Sequence, residues 1–202
     1  MAEDHRAEVV EQLADRIEAV RRPRPVRVAI DGVDAAGKTT LADELGSVLR
    51  RRGREVVHAS IDDFHRPRAE RYRRGALSPE GYYRDSFDYE ALRKTLRAHS
   101  SQDSILLVDG VFLLRPELVE HWDLRIFVSV EPEEALRRAL ERDAALFGSR
   151  EEAERRYRLR YQPGQRLYFA EARPLDAADV VVVNDDPATP AIRTSRAGPA
   201  PR

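Results

Sequence analysis

Cysteine is absent from this chain of 202 residues, and lysine occurs only twice against 33 arginines. Without cysteine the chain has neither a disulfide framework nor a thiolate metal site. The 35 basic residues almost cancel the 36 acidic residues, which leaves a formal net charge of -1. A charge so near zero argues against partners bound through bulk charge, such as nucleic acid or a membrane surface.

Long hydrophobic runs are missing as well. The longest, SILLVDGVFLL, is too short for a transmembrane helix and contains an aspartate. The amino-terminal segment, residues 1–22, is acidic and carries apolar residues at helical spacing. Those residues are Val9, Val10, Leu13, Ile17 and Val20. This pattern predicts an amphipathic helix packed on the core rather than a signal peptide.

Between residues 23 and 186, short β-branched runs alternate with longer helical patterns. The strand candidates are residues 26–31, 55–62, 104–110, 124–130 and 179–184. Such alternation is typical of parallel strands joined by crossover helices. It predicts one α/β domain in three layers, with a parallel β-sheet of about five strands flanked by helices. Residues 187–202 are rich in proline and alanine without periodicity, which predicts a disordered tail.

The stretch GVDAAGKTT, residues 32–40, lies between the first predicted strand and a helix. It satisfies the G-x-x-x-x-G-K-[ST] pattern of a phosphate-binding loop and so predicts a P-loop NTPase fold. Lys38 would reach the β- and γ-phosphates, and Thr39 would hold Mg²⁺. The predicted nucleotide-binding residues are Gly32, Asp34, Ala35, Ala36, Gly37, Lys38, Thr39 and Thr40.

Aspartates stand at the ends of the next two predicted strands, Asp62 and Asp63 after the second and Asp109 after the third. In a doubly wound sheet this edge binds ligands beside the phosphate loop. Kinase chemistry needs one carboxylate to orient Mg²⁺ and another to accept the proton of the attacking hydroxyl. Asp62 and Asp109 suit both tasks, while Asp63 is the alternative base and equally suits a capping role.

Two arginine-rich segments flank the predicted site. The first, HRPRAERYRRG, could line an anionic substrate site or contact nucleic acid, although the abundance of arginine favours a solvated loop. The predicted substrate-binding residues nearby are Asp62, His65, Arg66, Tyr82, Tyr83 and Asp85. The second segment, around residues 137–160, predicts a lid in which Arg138 or Arg142 acts on the transferring group.

Six stretches taken in order resemble the uridine kinase and phosphoribulokinase group of P-loop kinases. They are AIDGVDAAGKTTLADEL, SIDDFHRPR, DSFDYEALRKTL, LLVDGVFLL, RRALERD and RYQPGQRLYFAEARPLDAADVVVVND, over roughly residues 26–186. The resemblance implies a cytoplasmic enzyme that uses ATP and Mg²⁺, with Asp62 as the base for a nucleoside 5′-hydroxyl. It also implies an Arg142–Asp143 pair in the lid helix and places residues 184–187 near the adenine.

We therefore expect a phosphotransferase with an alcohol group as acceptor, most simply the nucleosides uridine or cytidine. The expected catalytic residues are Lys38, Asp62, Arg138 and Arg142, and the expected metal ligands are Thr39 and Asp109. Nucleoside-specific members carry Asp-His-Pro where this chain has Tyr82, Tyr83 and Arg84. Nicotinamide riboside, pantothenate and sugar phosphates therefore stay open as acceptors.

Other classes of P-loop protein fit less well. A regulatory GTPase needs an Asn-Lys-x-Asp guanine reader, but the second lysine, Lys94, lies in LRKTL. A nucleic-acid-stimulated ATPase could use the arginine segments, but the net charge near zero argues against it. A nucleotide-binding structural protein would need no catalytic aspartates, whereas this chain has both Asp62 and Asp109. We expect a small-molecule substrate and neither nucleic acid nor a membrane as partner, with self-association into a homo-oligomer left open.

Overall fold

A six-stranded sheet forms the centre of the structure, a computed structural model that describes residues 2–99, 101 and 103–194. The strands are β1 (Val26–Gly32), β2 (Glu55–Ser60), β3 (Ser104–Gly110), β4 (Leu124–Ser129), β5 (Val180–Val183) and β6 (Ala191–Thr194). They lie in the order β2-β3-β1-β4-β5-β6. The first five are parallel, and β6 runs antiparallel to β5. The predicted α/β class is confirmed, with one strand more than expected.

Two inner strands, β1 and β3, are buried along their whole length. Helices cover both faces of such a strand, so its sequence becomes a nearly continuous apolar run. The register pairs Ile30 with Asp109 and Asp31 with Gly110. The polar ends of both strands therefore meet at the carboxyl edge of the sheet, where ligands bind in folds of this kind.

Helices lie on both faces of the sheet. They are α1 (Ala2–Ala19), α2 (Lys38–Arg51), α3 (Arg68–Arg71), α4 (Pro79–Asp85), α5 (Tyr89–Ala98), α6 (Pro132–Phe147), α7 (Arg150–Arg156), α8 (Gln162–Ala172) and α9 (Pro174–Ala177). One core cluster joins α1 and α2 to the sheet, and another joins α4, α5 and α8 to its opposite face. No helix within the described residues is both long and apolar enough to cross a bilayer.

The predicted amino-terminal helix is present as α1. Its apolar stripe packs against α2 and the sheet, which buries Val9, Val10, Leu13 and Ile17. Arg52, just after α2, donates to Asp15 at 2.8 Å and to Glu18 at 2.7 Å, both on α1. The amphipathic helix is therefore held to the domain by apolar contacts on one face and ion pairs at its rim.

The region predicted as a lid consists of α6, α7 and a π-helical segment, Tyr157–Tyr161. Gly148 ends α6 with a φ of 89°, in the left-handed region that glycine adopts without strain. Ser149 Oγ then accepts from Glu152 N at 3.1 Å and caps α7. A small apolar cluster holds these helices together, formed by Leu136, Ala139, Leu140, Ala153 and Tyr157.

The prediction of a disordered tail was wrong for its first part. Residues 191–194 form β6 against β5, with Val183 opposite Ala191, and Ile192 packs on the core. Pairing with β6 satisfies the backbone groups along the edge of β5, and a four-residue run after Pro190 is too short to predict that pairing from sequence. Residues 195–202 of the predicted tail lie outside the described residues.

Candidate active site

The predicted phosphate loop wraps round the amino terminus of α2. Ala35 and Gly37 have φ values of 57° and 91°, both in the left-handed region. A β-carbon on Gly37 would lie 2.7 Å from Nδ2 of Asn184, so glycine suits this position on two counts. The first amides of α2, from Lys38 to Thr40, have no acceptor within the helix, and no side chain caps them. Amides of this kind and the helix dipole together form an anion-binding site.

Asp31, near the end of β1, holds the first residue of the loop in place. Its carboxylate accepts from Gly32 N at 2.6 Å and Leu114 N at 2.9 Å, and also from the hydroxyl of Tyr168. Burial raises the pKa of Asp31 to about 6, against the opposing effect of these hydrogen bonds and of Lys38. The start of the loop is thus tied to the segment after β3 and to α8.

Lys38 is buried beneath the loop, and its Nζ donates to Val33 O at 2.7 Å. Burial lowers the pKa of Lys38, and the charges of Asp34, Asp31 and Asp109 oppose that shift. An ammonium group among carboxylates can turn to a phosphate once that ligand arrives. The position agrees with the predicted phosphate-binding role.

Thr39 and Asp109, the predicted metal ligands, are in direct contact. Thr39 Oγ1 donates to Asp109 Oδ2 at 2.6 Å, and His58 Nε2 lies 2.9 Å from Asp109 Oδ1. Burial acts to raise the pKa of Asp109, but the hydrogen bonds with His58 and Thr39 outweigh it, so the pKa is lowered. A charged carboxylate and a hydroxyl are oxygen donors of the kind that Mg²⁺ prefers, and Mg²⁺ commonly takes its remaining ligands from phosphates and water.

Thr39 and Asp109 form only a partial set of metal ligands. Within the described residues, no group of three or more histidine, aspartate or glutamate side chains could hold a metal without further ligands. The donors present thus fit a magnesium ion carried with a nucleotide.

Asp34, at the third position of the loop, faces the helices on the opposite side. It accepts from Tyr82 Oη at 3.0 and 3.1 Å and from Gln165 Nε2 at 2.7 Å. Burial raises the pKa of Asp34, while the charge of Lys38 opposes the rise. These contacts fasten the phosphate loop to α4 and α8.

A cleft of about 630 Å³ opens in front of the loop. We refer to it as the cleft. Its chemically important lining residues are Asp34, Lys38, Thr39, Asp62, His65, Arg68, Arg71, Tyr72, Tyr82, Asp109, Arg142, Asp143, Arg156, Tyr157 and Tyr161. The phosphate loop, the ends of β2 and β3, α3 and the lid therefore surround one space.

The structure distinguishes between the two candidate bases. Asp63 Oδ2 accepts from Ser60 N at 3.2 Å and closes a capping box after β2. The Asp62 side chain is 72% exposed, lines the cleft and lies 3.8 Å from Nε2 of His65. Asp62 is therefore the carboxylate that can meet a ligand.

Of the two predicted lid arginines, Arg142 lines the cleft. Asp143 holds its guanidinium by bonds of 2.7 and 2.9 Å, and Tyr157 Oη donates to Asp143 at 2.5 Å. The hydrogen bond with Asp143 raises the pKa of Arg142 above its ordinary value. A charged group is thus held in place at the cleft wall.

The prediction that Arg138 also closes over the transferring group does not agree with its position. Arg138 donates to Asn184 O at 2.9 Å, to Asp185 O at 2.6 Å and to Glu134 at 2.7 Å, and it is not among the cleft residues. Asn184 in turn donates from Nδ2 to Ala36 O at 2.8 Å. Arg138 therefore holds the segment after β5 against the loop.

Three predicted substrate-binding residues do not reach the cleft. Tyr83 is 1% exposed in the apolar core, because the helical turn of α4 directs it inward. Asp85 pairs with arginines outside the cleft, and Arg66 donates to Phe87 O at 3.0 Å. Asp62, His65 and Tyr82 do line the cleft, although the Tyr82 hydroxyl is already bonded to the loop.

Several cleft residues had no individual prediction, among them Arg68, Arg71, Tyr72, Tyr157 and Tyr161. The arginine-rich segments gave the only signal for them, and that signal did not single out any member. The π-helical segment carries two of them, and such segments are frequent at functional sites. Which of many arginines and tyrosines face a ligand depends on how short helices pack.

A phosphate loop between the first strand and a helix, in a parallel sheet of this order, defines the P-loop NTPase class. No model of a known protein family matches the chain. Solved structures do match it. A possible uridine kinase from Bacillus stearothermophilus superposes with a TM-score of 0.68 at 24% sequence identity. The match covers 86% of this chain and 97% of that kinase.

Two further structures carry kinase names. A candidate fructose transport system kinase from a Silicibacter species has a TM-score of 0.67 at 20% identity, over 83% of this chain and 95% of its own. The D-glycerate 3-kinase of Cryptococcus neoformans has a TM-score of 0.60 at 11% identity, over 88% and 93%. At these identities the likeness establishes a shared fold, that of P-loop kinases.

Proposed function

We propose that this protein is an ATP-dependent kinase that phosphorylates a hydroxyl group of a small molecule. One observation carries the proposal. The carboxylate of Asp62, which unlike that of Asp63 does not cap a helix, lines the same cleft as Lys38 and the Thr39–Asp109 pair. A base, a phosphate-binding loop and a metal-binding pair in one cleft are the parts that phosphoryl transfer requires.

The nucleotide half of the site holds the phosphates. The amides at the start of α2 and Lys38 bind the phosphate oxygens. Thr39 and Asp109 would hold Mg²⁺, which would supply positive charge against the phosphates. Asn184 donates to Ala36 O of the loop, and residues 184–187 would border the adenine. ATP is the nucleotide implied by the sequence resemblance, and the cytoplasm, where ATP is abundant, is the implied compartment.

Asp62 serves the acceptor half. The acceptor oxygen attacks the γ-phosphorus, the bond from that phosphorus to the β,γ-bridging oxygen breaks, and the hydroxyl proton passes to Asp62. ADP and a phosphate ester are the products. Arg142, held by Asp143 and Tyr157, lies against the transferring group and stabilises its charge.

The sequence resemblance favours a nucleoside, uridine or cytidine, as the acceptor, while the likeness to solved kinase structures supports a small-molecule kinase in general. The nucleoside remains a prediction. Nicotinamide riboside, pantothenate and sugar phosphates are the alternative acceptors. A nucleic-acid-stimulated ATPase is the alternative activity, recognisable by ATP turnover that needs DNA or RNA and weakens steeply with salt.

The proposal is tested by replacing adjacent aspartates. With a panel of these acceptors, we expect Asp62→Asn to lower kcat by about 10² to 10⁴-fold while the KM for ATP stays nearly constant. The matched control, Asp63→Asn, removes only the cap and should keep kcat within about threefold. Lys38→Ala should abolish turnover. Full activity in Asp62→Asn would remove the base assignment.

A further inference from the structure

Five arginines lie between residues 66 and 74, and three of them have acceptors outside the cleft. Arg66 pairs with Glu70 at 3.4 Å. Arg73 and Arg74 both pair with Asp85, at 2.8 and 2.7 Å. The positive charge of these three side chains is therefore compensated within the protein.

The other two, Arg68 and Arg71, are the ones that line the cleft. Neither has a hydrogen-bonded or ion-paired acceptor within the part of the chain that the structure describes, and Nε of Arg71 is buried without a partner. A buried donor that finds no acceptor costs stability unless a ligand supplies one. Among the five arginines of residues 66–74, the three outside the cleft therefore have partners, and the two that line it have none among the described residues.

Aromatic contacts keep both guanidinium groups in place. The carbon of the Arg68 guanidinium lies 5.4 Å from the centre of the Tyr72 ring, and that of Arg71 lies 5.7 Å from it. Arg160, buried in the π-helical segment, contacts the same ring at 4.7 Å and donates to Ser78 O at 3.1 Å. The arginines are thus organised around one ring that the lid also touches.

This end of the cleft adjoins the proposed base. His65 lies 3.8 Å from Asp62. Burial lowers the pKa of His65, the charge of Asp62 opposes this shift, and the charge of Arg71 adds to it. The remaining arginines of the cleft have carboxylate partners, since Arg142 pairs with Asp143 at 2.7 Å and Arg156 with Glu152 at 2.8 Å. Uncompensated positive charge is therefore concentrated on the acceptor side.

We propose that the acceptor carries an anionic group, a phosphate or a carboxylate, in addition to the hydroxyl that reacts, and that Arg68 and Arg71 bind this group. The inference rests on the kinase function proposed above and names its substrate class, and it selects the alternative acceptors, a sugar phosphate or pantothenate, over uridine and cytidine. Guanidinium groups bind both anions by paired hydrogen bonds. A neutral nucleoside brings no charge to this end of the cleft.

Binding of inorganic phosphate tests the anion site without turnover. The nucleotide site is first filled with the non-hydrolysable analogue AMP-PNP and Mg²⁺, so that added phosphate cannot occupy the loop or the γ-position. We expect the Arg68→Gln/Arg71→Gln double variant to raise the Kd for phosphate by at least about tenfold. The matched control, Arg73→Gln, lies in the same segment and should bind phosphate like the natural chain. Equal phosphate affinity in the double variant and the natural chain overturns the inference.

Turnover of matched acceptors then distinguishes the kinase function from the anion site, and a phosphate from a carboxylate as the bound group. The pairs are ribulose with ribulose 5-phosphate, glycerol with glycerate and pantothenol with pantothenate, beside uridine and cytidine. We expect only anionic members to be phosphorylated, with a raised acceptor KM and an unchanged KM for ATP in the double variant. Phosphorylation of a neutral nucleoside alone overturns the anionic acceptor and keeps the kinase. Arginine-dependent phosphate binding without any turnover supports the anion site and counts against the kinase.

Discussion

Replacement of Asp31 by asparagine should change how the stability of the protein depends on pH. Burial raises the pKa of this carboxyl from its ordinary 3.8 to about 6. A group with a raised pKa in the folded state contributes its full stability below about 3.8 and loses it as the pH rises through 6. The natural chain should therefore lose stability relative to Asp31→Asn as the pH rises.

The size of the effect follows from the two pKa values. Their difference corresponds to about 3 kcal/mol, of which about 2 kcal/mol falls between about pH 4.5 and pH 7.5. Asparagine accepts from Gly32 N but presents an amide to Leu114 N, where the carboxylate accepts a bond at 2.9 Å. That mismatch lowers the stability of the variant by a constant amount and leaves the slope with pH unchanged.

Urea unfolding measures this difference, with Trp122 as the probe. It is the single tryptophan of the chain, it is buried, and its Nε1 donates to Leu113 O at 2.8 Å, next to the segment that Asp31 holds. Unfolding free energies of both proteins are compared at several pH values between about 4.5 and 7.5. A difference that stays constant over this range would refute the raised pKa and its cause.

Asp123→Asn is the control for that experiment. Burial acts to raise the pKa of Asp123, but hydrogen bonds from Arg24, Arg27 and Arg22 outweigh it and leave the pKa lowered. Its contribution is fully present above the ordinary pKa of 3.8 and is lost only as the pH falls further. The difference between the natural chain and this variant should therefore stay flat between about pH 4.5 and pH 7.5.

Two further predictions concern the carboxyl end of β3, where Asp109 and Gly110 lie. Gly110→Ala should destabilise the fold by about 2–4 kcal/mol in urea titrations, because its φ is 153° and a β-carbon would lie 2.1 Å from Cγ2 of Ile61; near-natural stability would contradict this. His58→Ala removes a hydrogen-bond partner of Asp109 and should raise the Mg²⁺ concentration for half-maximal kinase activity by about tenfold. An unchanged Mg²⁺ requirement would show that His58 does not position the metal-binding carboxylate.

Local sequence was sufficient to predict the central part of the fold. The apolar runs of β1 and β3 and the glycine pattern of residues 32–37 each depend on neighbours a few positions away. Backbone sterics and burial act over that distance, so the order of strand, loop and helix can be read directly. The loop with Lys38 and Thr39, and the aspartate at the end of β3, were predicted in this way.

The orientation of the remaining side chains depended on contacts between distant parts of the chain. Asp85 and Arg71 lie on short helices whose packing turns one away from the cleft and the other into it. Such helices carry too little periodicity for sequence to fix which face is buried. β6 was missed for a similar reason, because four residues are too few to show the periodicity of a strand.

Sequence alone therefore determined that the chain forms a parallel sheet with a phosphate loop, because each of those features depends on residues that are adjacent in the chain. Only the tertiary structure decided that Asp62 rather than Asp63 faces the cleft and that Arg68 and Arg71 find no acceptor among the described residues. Both outcomes depend on which partners the fold brings near, and hydrogen bonds and ion pairs act only at contact distance.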